Sequence, residues 1–513
     1  MIIILHSNNK VVKVFDYSSK ADISVTKNSL VETFFELANQ YKNTLLVWCH
    51  NNLKDDINFE EFDRTFHHKL IMGSLNTKAK NYIDDRIGYV ESSPFVKINK
   101  EVYYPTWLMA SCIGGINSDV LSCYNVKDYL KKPFDYTLNS IAKLGMKNGL
   151  FCYSMPKLLN PNINVTDNNP TSKIELFKFI KQHYKSRWIL LAFLNSLIYE
   201  KRLLLLPLIT SFFIAKKFKS LNFKDLEIVS KASNVLDTSL DVIIPTIGRK
   251  LYLYDVLKDL SNQTLLPKNV IIIEQNPDFD SKTELDYLTN ETWPFKIKHQ
   301  FTNKTGACNA RNLALKEVES DWVFMADDDI RFEKKVLEIA LEEMFKYKLS
   351  AATLSCLRKG DKQLELPTSQ WNTFGSGCSI ISKHIAKNIK FDIAFEHGFG
   401  EDGDYGMQIR NYGEDIGYIS KCRLIHLKAP MGGFRTKFKH SWIDDKIQPK
   451  PSPTIMLYNL KNQSNFQING YRTLLFIKFF KLQENKNVFS YYSQIKKRWK
   501  KSIYLANKLK DKH

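Results

Sequence analysis

The chain has 513 residues, 44% of them hydrophobic, and a formal net charge of +20. This length exceeds what a single compact core usually organises, so two or more domains are expected. The charge indicates an anionic partner, and it leaves nucleic acid, a phosphorylated substrate and an acidic membrane surface open. The eight cysteines form no Cys-x-x-Cys pair, which argues against a zinc site or a disulfide framework and favours a reducing compartment.

The first apolar run, Ile2 to Leu5, predicts a β-strand. We do not expect a signal peptide here, because the segment has no basic leader, too short an apolar region and no cleavage site. Up to about residue 155, short apolar runs alternate with helical patterns such as Ser29 to Tyr41, which is typical of an α/β domain. We therefore predict a smaller α/β domain over residues 1–160.

Two stretches of this domain resemble later parts of the chain. The apolar run and polar turn of residues 44–53 resemble the stretch that ends at residues 327–329. Two glycine pairs also share one spacing: Gly145 with Gly149, and Gly413 with Gly417. We interpret these similarities as a degenerate internal duplication, and the chance similarity of two α/β domains is the alternative.

The N-terminal copy lacks the acidic residues of the C-terminal one. His50, Asn51 and Asn52 stand in place of three aspartates, and the Pro-Phe pair at 133–134 stands in place of the Glu-Asp pair at 401–402. Without those carboxylates, the N-terminal copy is predicted to bind no metal diphosphate.

Residues 161–235 are predicted to form an apolar and basic helical linker. The apolar runs from Trp188 to Tyr199 and from Leu203 to Ala215 are each shorter than the roughly 18 residues that span a bilayer. Two interpretations stay open: helices that lie in a membrane interface with lysines on anionic headgroups, and a helical hairpin with a buried face. Residues 441–513, rich in lysine and aromatic residues, are predicted to form a basic amphipathic tail that favours the membrane.

The clearest pattern covers residues 236–440. Leu240 to Arg249 reads as a buried strand closed by a turn, followed by a helix over 251–261 and a second strand over 269–274. This β-α-β order predicts a parallel sheet whose ligands bind at the carboxyl ends of its strands. Three polar residues fall at such ends: Thr246, Arg249 and Glu274.

Three adjacent aspartates, Asp327, Asp328 and Asp329, follow the apolar run 322–326. Carboxylates at the end of a buried strand repel one another, and a divalent cation would relieve that repulsion. Hard oxygen ligands suit Mn²⁺ or Mg²⁺, which usually complete their coordination with substrate phosphates. A solvated acidic turn is the alternative. Before them, a helix that begins at Gly306 offers exposed backbone N–H groups as an anion site.

Four motifs occur in order: Val242 to Arg249, Gly306 to Asn312, Asp327 to Asp329, and Phe399 to Asp404. Together they resemble the nucleotide-sugar glycosyltransferases of family two, over about residues 240–434. The resemblance implies the GT-A fold, a Rossmann-like mixed sheet flanked by helices. It also implies transfer of a sugar from a nucleoside diphosphate to an acceptor hydroxyl with inversion, using Mn²⁺ or Mg²⁺.

The resemblance further implies roles for single residues. The implied donor-binding set is Pro245, Thr246, Arg249, Glu274, Gly306, Arg311, Asp327, Asp328 and Gly377. Within it, Thr246 and Glu274 would line the base and ribose, and Arg311 would approach the diphosphate. The implied metal ligands are the Asp-x-Asp pair Asp327 and Asp329, together with His426.

Glu401 and Asp402 precede a helical segment, at whose N-terminus negative charge is stabilised. An inverting transfer needs a carboxylate that accepts the proton of the acceptor hydroxyl, and the resemblance implies Asp402 as this base, with Glu401 orienting the hydroxyl. Simple helix capping is the alternative. Trp371, which could stack on a sugar ring, and Asp404 are candidate acceptor-binding residues. Residues 429–438 are predicted to close over bound donor as a lid.

The sequence thus predicts a metal-dependent, inverting glycosyltransferase with a UDP-linked donor and a glycan or lipid-linked acceptor in cell-surface polysaccharide synthesis. We expect it in the cytoplasm, on the inner face of an anionic membrane. A sugar-phosphate nucleotidyltransferase and a catalytically inactive glycan- or nucleic-acid-binding protein are the alternatives. Nucleic acid is not an expected partner, because no aromatic-basic interleaving or helix-turn-helix pattern occurs. Donor sugar, linkage and oligomeric state are left open.

Overall fold

The computed structural model describes residues 1–77, 80–161, 170–215, 221–228, 235–430, 438–483 and 487–512. The chain divides into two compact units. Unit 1 comprises Met1–Val229 and Gln463–Lys478, and unit 2 comprises Ser230–Asn462 and Phe479–His513. The finer division predicted from the sequence, into two domains, a linker and a tail, stays a prediction.

Unit 1 contains a mixed β-sheet. Its strands are β1 (Ile2–Ser7), β2 (Lys10–Asp16), β3 (Leu45–His50), β4 (Ile71–Ser74), β5 (Tyr104–Pro105), β6 (Ile113–Asn117) and β7 (Phe151–Ser154). Their spatial order is β2-β1-β3-β6-β4-β7-β5. β1 is parallel to β3 and β4 is parallel to β7, whereas the other neighbours are antiparallel.

Helices surround this sheet and supply its core. They are α1 (Leu30–Gln40), α2 (Phe59–Thr65), α3 (Ser118–Leu121), α4 (Phe134–Met146), α5 (Lys173–His183), α6 (Arg187–Glu200) and α7 (Leu205–Phe212). The Ser29 side chain caps α1 by accepting a hydrogen bond from the backbone N–H of Glu32. Phe34 of α1 then packs edge-to-face on Trp48 of β3, so the helix is held on the sheet by buried aromatic rings.

Unit 2 contains a larger mixed sheet. Its strands are β8 (Leu240–Thr246), β9 (Asn269–Gln275), β10 (Lys296–Thr302), β11 (Trp322–Ala326), β12 (Ile330–Phe332), β13 (Ala351–Arg358), β14 (Ser369–Gln370), β15 (Cys378–Ser382) and β16 (Ile416–His426). The order is β10-β9-β8-β11-β15-β13-β16-β12, with β14 beside β16. The first four strands are parallel, so their carboxyl ends meet at one edge.

Helices flank this sheet too. They are α8 (Lys250–Ser261), α9 (Tyr287–Asn290), α10 (Ala307–Lys316), α11 (Val336–Tyr347), α12 (Lys383–Asn388), α13 (Glu401–Asn411), α14 (Pro453–Asn462), α15 (Asn465–Lys481) and α16 (Val488–Lys512). A buried carboxylate, Asp241 of β8, accepts hydrogen bonds from the Ser320 hydroxyl (2.7 Å) and the Asn269 amide (2.8 Å). It thereby ties β8 to its neighbours. The mixed sheet flanked by helices is confirmed.

The C-terminal segment is packed against the rest of the chain. α15 up to Lys478 belongs to unit 1, whereas α16 packs on α14 in unit 2. Ile495, Trp499 and Leu505 of α16 are buried while most of its lysines are exposed, which makes it an amphipathic surface helix. Among the described residues, no helix is both long enough and apolar enough to cross a membrane.

Candidate active site

A cavity of about 440 Å³ opens at the carboxyl ends of β8, β9 and β11. Most of the residues predicted from the sequence line it, although they come from distant parts of the chain. Those residues are Pro245, Thr246, Arg249, Gly306, Arg311, Asp327, Asp328, Asp329, Gly377, Glu401, Asp402 and His426. The cavity therefore collects the predicted donor, metal and catalytic groups in one place.

Asp328 is buried, as is Asp329, whereas Asp327 is half-buried. Asp328 accepts hydrogen bonds from the Thr246 hydroxyl (2.7 Å) and from an Nη of Arg249 (2.5 Å). Burial raises the pKa of Asp328 to about 6, although the Arg249 guanidinium opposes that rise. These contacts fasten the turn after β11 to the end of β8, so Asp328 supports the cavity wall.

Asp327, Asp329 and His426 bring one potential ligand atom each to within 4.8 Å of one another. β12 pairs antiparallel with β16 in a register that sets Ile330 opposite His426, which brings the imidazole to Asp329. Asp329 contacts His426 Nε2 at 3.3 Å and accepts a hydrogen bond from the Ala429 N–H at 2.9 Å. The two carboxylates are the hard oxygen ligands that suit Mn²⁺ or Mg²⁺, and the imidazole adds a softer nitrogen donor.

The charged groups in this cluster shift one another's pKa values. The hydrogen bond to Asp329 raises the pKa of His426, although burial opposes it. Burial favours the neutral form of Asp329, but the His426 and Ala429 hydrogen bonds and the Arg249 charge prevail and lower its pKa. Asp329 is therefore held as a carboxylate, the form that binds a cation.

Asp327 lies between an arginine and a glycine. An Nη of Arg311, a buried side chain, contacts its carboxylate at 2.9 Å. A Cβ at Gly377 would approach Asp327 Oδ2 to 2.1 Å, so only glycine leaves room for the aspartate at this position. Arg311 also has a buried Nε without a hydrogen-bond partner among the described residues, which leaves a donor of this cation unused.

The start of α10 differs from the expectation. The backbone N–H groups of Cys308 and Asn309, part of the predicted anion site, donate to the Glu396 carboxylate at 3.1 and 2.8 Å. Gly306 has φ +140°, and a Cβ there would lie 2.2 Å from Glu396 Cδ. The Gly306 N–H donates a hydrogen bond to Gln275 Oε1 at 2.6 Å. The protein's own carboxylate thus occupies this helix start.

Glu401 and Asp402 form the first turn of α13. Asp402 accepts hydrogen bonds from the Ser376 N–H at 3.2 Å and from the Ser376 hydroxyl. Burial raises the pKa of Asp402, although Arg311 and Ser376 favour its charged form. Burial and the neighbouring Asp402 raise the pKa of Glu401 to about 7. Acids with raised pKa values in a cavity are suited to proton transfer near neutral pH.

Three predicted site residues do not line the cavity. Glu274 binds His299 Nε2 (2.9 Å) and the Thr283 hydroxyl (2.5 Å), and its neighbour Gln275 faces the cavity instead. Trp371 stacks on Tyr418 with ring centroids 4.2 Å apart. For these residues the predicted donor and acceptor roles gain no support from their positions.

Asp404 is the third of them. Its carboxylate accepts hydrogen bonds from Lys461 Nζ (2.9 Å) and Asn462 Nδ2 (2.8 Å), which join α13 to the end of α14.

The predicted lid falls largely on residues 431–437, outside the described residues. Just after it, Phe438 lines the cavity and stacks on His397 with centroids 4.0 Å apart, a pair that the sequence motifs did not indicate.

Residues 241–403 match the family described as Glycosyl transferase family 2. None of the curated proteins compared with the chain is significantly similar to it. Among solved structures, the S. aureus TarS 1-349 fragment in complex with UDP-GlcNAc is 17% identical, with a TM-score of 0.39 over 52% of this chain and 81% of that one. Another structure of this fragment is 19% identical, with a TM-score of 0.31 over 37% of this chain and only 60% of that one.

The mannosyltransferase PcManGT from Pyrobaculum calidifontis, in complex with GDP-Man and Mn²⁺, is 12% identical, with a TM-score of 0.31 over 53% of this chain and 74% of that one. The assignment rests on the family match, which covers the strands and loops that build the cavity from β8 to the start of α13. As the four sequence motifs indicated, residues 241–403 of unit 2 form a glycosyltransferase domain of family 2.

Proposed function

We propose that this chain transfers a sugar from a nucleoside-diphosphate sugar, UDP-linked, to an acceptor hydroxyl with inversion at the anomeric carbon. One observation carries the proposal. The potential metal ligands Asp327, Asp329 and His426 line the same cavity as the acid pair Glu401 and Asp402. An inverting displacement needs these two functions on opposite sides of one reacting centre.

On the donor side, charged groups of the cavity wall would bind the diphosphate of the donor. Asp327, Asp329 and His426 would hold the divalent cation, which when bound supplies positive charge that neutralises the leaving diphosphate. Arg311, buried beside Asp327, adds a second positive charge at the same wall. Thr246 and Arg249 line the cavity on the proposed donor side. Both also bind Asp328, so they hold the turn that presents its two neighbours.

On the acceptor side, Asp402 is the general base. As the acceptor oxygen forms its bond to the anomeric carbon and the bond to the diphosphate oxygen breaks, the hydroxyl proton passes to the Asp402 carboxylate. The two hydrogen bonds from Ser376 fix the orientation of that carboxylate. Glu401, whose pKa is raised to about 7, orients the hydroxyl from the neighbouring position.

The acceptor is proposed to be a glycan or a lipid-linked glycan in cell-surface polysaccharide synthesis, on the inner face of the membrane. The net charge of +20 and the exposed apolar helices after residue 187 support this part. It is separable from the chemistry, because sugar transfer can be measured with acceptors in solution.

A panel of nucleotide sugars, labelled either in the sugar or in the nucleotide, tests the proposal in the presence of Mn²⁺. Methyl glycosides serve as acceptor probes. We expect sugar label on the acceptor or in water, with nucleoside diphosphate released, for at least one donor. With pyrophosphate added, transfer of the nucleotide label to nucleoside triphosphate and release of sugar phosphate would instead support the nucleotidyltransferase. No turnover of any nucleotide sugar, with or without pyrophosphate, would contradict both.

A further inference from the structure

Large apolar side chains are exposed along one stretch of unit 1, on α6, on α7 and at the ends of α7. They are Leu190, Leu197, Ile198, Leu203, Leu205, Leu206, Ile209, Phe212 and Phe213. We call this set the apolar patch. Phe213 is 84% exposed, Leu206 62% and Leu203 61%. Isolated exposed leucines are ordinary, but a concentration of this kind marks an interaction site.

The inner side of α6 is held firmly, so the outward leucines do not result from a loose helix. Asn195 Oδ1 accepts a hydrogen bond from the Thr473 hydroxyl of α15 at 2.5 Å. At the end of the helix, the Glu200 carboxylate pairs with Arg86 at 2.7 Å. Ile189 and Ala192 are buried on the same inner side. The fold fixes one side of α6 and leaves the other apolar and exposed.

The exposed charged side chains in the segment that carries the apolar patch have one sign. Exposed cationic residues lie just before α6, at its first residue, and between α6 and α7: Lys185, Arg187, Lys201 and Arg202. Between residues 184 and 215 the sequence contains one acidic residue, Glu200, and its carboxylate is neutralised by Arg86. This segment therefore combines exposed leucine and phenylalanine with exposed positive charges, which complements an apolar layer bordered by anions.

We propose that the apolar patch docks on the surface of an anionic lipid bilayer. α6 has 14 residues. At about 1.5 Å of rise per residue it is shorter than the roughly 30 Å of a bilayer core, so it lies in the interface and does not cross it. A second copy of this chain is the less suitable occupant, because two such surfaces would bring like charges together.

This inference assigns the membrane contact to named residues. It rests on the proposed function only for the biological consequence, which is to bring the active site to a lipid-linked acceptor. Binding itself is measured without donor or acceptor. A failure to bind vesicles and a failure to transfer sugar are therefore distinct results. The inference assigns membrane binding to the apolar patch and not to α16, and the exposed Phe489 of α16 serves as the control below.

The test is flotation of the full-length protein with vesicles of phosphatidylglycerol and phosphatidylcholine in equal parts, and with phosphatidylcholine alone. We expect strong binding to the anionic vesicles and weak binding to the neutral ones. A double variant, Leu206→Glu with Phe213→Glu, should lower the partition coefficient about tenfold or more. Phe489→Glu, on a residue of α16 that is 88% exposed, is the matched control and should bind like the native protein.

A second variant tests the charges without touching the apolar packing. Lys185→Glu with Arg202→Glu should weaken binding to anionic vesicles about tenfold, and thermal melting should show that it folds. The proposal is overturned if the native protein does not float, if both double variants bind normally, or if Phe489→Glu alone abolishes binding. It is also overturned if the native protein is a dimer that Leu206→Glu with Phe213→Glu converts to a monomer without any vesicle binding.

Discussion

The sheets of the two units share an arrangement of six strands. In unit 1 the order is β1-β3-β6-β4-β7-β5, and in unit 2 it is β8-β11-β15-β13-β16-β14. Each successive pair has the same direction in both units: parallel, antiparallel, antiparallel, parallel and antiparallel. We propose on this basis that unit 1 is a degenerate copy of the catalytic domain, as the sequence suggested.

Single hydrogen bonds repeat as well. The Asp327 N–H donates to the Gly377 carbonyl at 3.1 Å, and the His50 N–H donates to the Cys112 carbonyl at 2.7 Å. Under this proposal His50 corresponds to Asp327, which is the pairing that the sequence suggests. Cys112 takes the place of Gly377, because no aspartate side chain has to be accommodated beside it.

The acid at the start of the helix is also repeated. Asp135, in the first turn of α4, accepts hydrogen bonds from the Ser111 N–H (3.0 Å) and hydroxyl (2.9 Å), just as Asp402 accepts two from Ser376. This correspondence shifts the sequence pairing by one residue, since Asp135, and not Phe134, matches Asp402. The glycines shift too: Gly149 (φ +99°) follows α4 as Gly413 (φ +96°) follows α13.

The units differ on the nucleotide side of the sheet. Unit 2 continues beyond β8 with the parallel strands β9 and β10, whereas unit 1 ends there with the antiparallel β2. Arg311 is the fifth residue of α10, and the fifth residue of α1 is Phe34, whose ring packs on Phe134 at 5.3 Å. Aromatic packing in unit 1 replaces the cation of unit 2. Unit 1 therefore has a positioned acid, Asp135, but neither the arginine nor the aspartates of unit 2.

Among the variants that test how the two units differ, Asp329→Ala should have the largest effect on activity. We expect the loss of metal-dependent donor binding and a fall in turnover of roughly 10³-fold or more, because the charge stabilisation by the metal is worth several kcal/mol. Titration calorimetry with donor and Mn²⁺ measures the binding. Asn52→Ala, at the corresponding position of unit 1, is the control. Unchanged donor affinity in Asp329→Ala would remove this residue from the metal site.

Asp402→Asn compared with Asp135→Asn tests the two positioned acids directly. Asp402→Asn should lower kcat by roughly 10²-fold or more while donor affinity is retained, because only proton transfer is lost. Asp135→Asn should leave kcat unchanged if unit 1 is inactive. Steady-state transfer rates and thermal melting of both variants provide the measurement. If the two variants lose equal activity, unit 1 takes part in the reaction.

The residues that sequence reasoning placed correctly in the cavity have a local origin. Asp327 follows β11, Thr246 ends β8, and Asp402 begins a helix, so strand and helix patterns were sufficient to bring them to one edge. The same logic placed Glu274 at the end of β9. That position is correct, but the side chain that lines the cavity is Gln275 and not Glu274. Adjacent residues of a strand point to opposite faces of the sheet, so the choice between these two neighbours could not be made from the strand pattern alone.

The residues that the sequence did not reveal reach the cavity through contacts distant in sequence. Glu396 caps α10 from a different part of the chain, and Ser376 positions Asp402 across the sheet edge. Neither Glu396 nor Ser376 belongs to a recognisable sequence motif, because any carboxylate or hydroxyl at the right place could make the same hydrogen bonds. A helix N-terminus can bind a ligand or a side chain of its own protein, and only the tertiary structure distinguishes these cases.

Gly377→Ala tests why unit 2 has a glycine where unit 1 has Cys112. The added Cβ would lie 2.1 Å from Asp327 Oδ2, so the aspartate must move. Overpacking of this kind typically costs about 1–3 kcal/mol, and we expect donor affinity in Mn²⁺ to fall about tenfold or more. Isothermal titration with Cys112→Gly as the control checks it. Native affinity in Gly377→Ala would show that Asp327 has more freedom than its contacts suggest.

Ser376→Ala should have the smallest effect and the most specific one. The Ser376 hydroxyl favours the charged form of Asp402, so its removal should raise the pKa of Asp402 further. Because the base must be deprotonated, the rate rises with pH through this pKa, and the acid limb of kcat/KM should move to higher pH. Loss of one hydrogen bond to a charged group corresponds to a shift of about one pH unit.

The matched variant is Ser111→Ala, which removes the same hydrogen bond from Asp135 and should leave the pH profile unchanged. A lower rate at every pH in Ser376→Ala, without a shift of the limb, would mean that Ser376 orients Asp402 but does not set its pKa. A shift in Ser111→Ala as well would mean that the acid of unit 1 is coupled to catalysis. The pair of pH profiles therefore distinguishes an inherited hydrogen bond from one that the reaction uses.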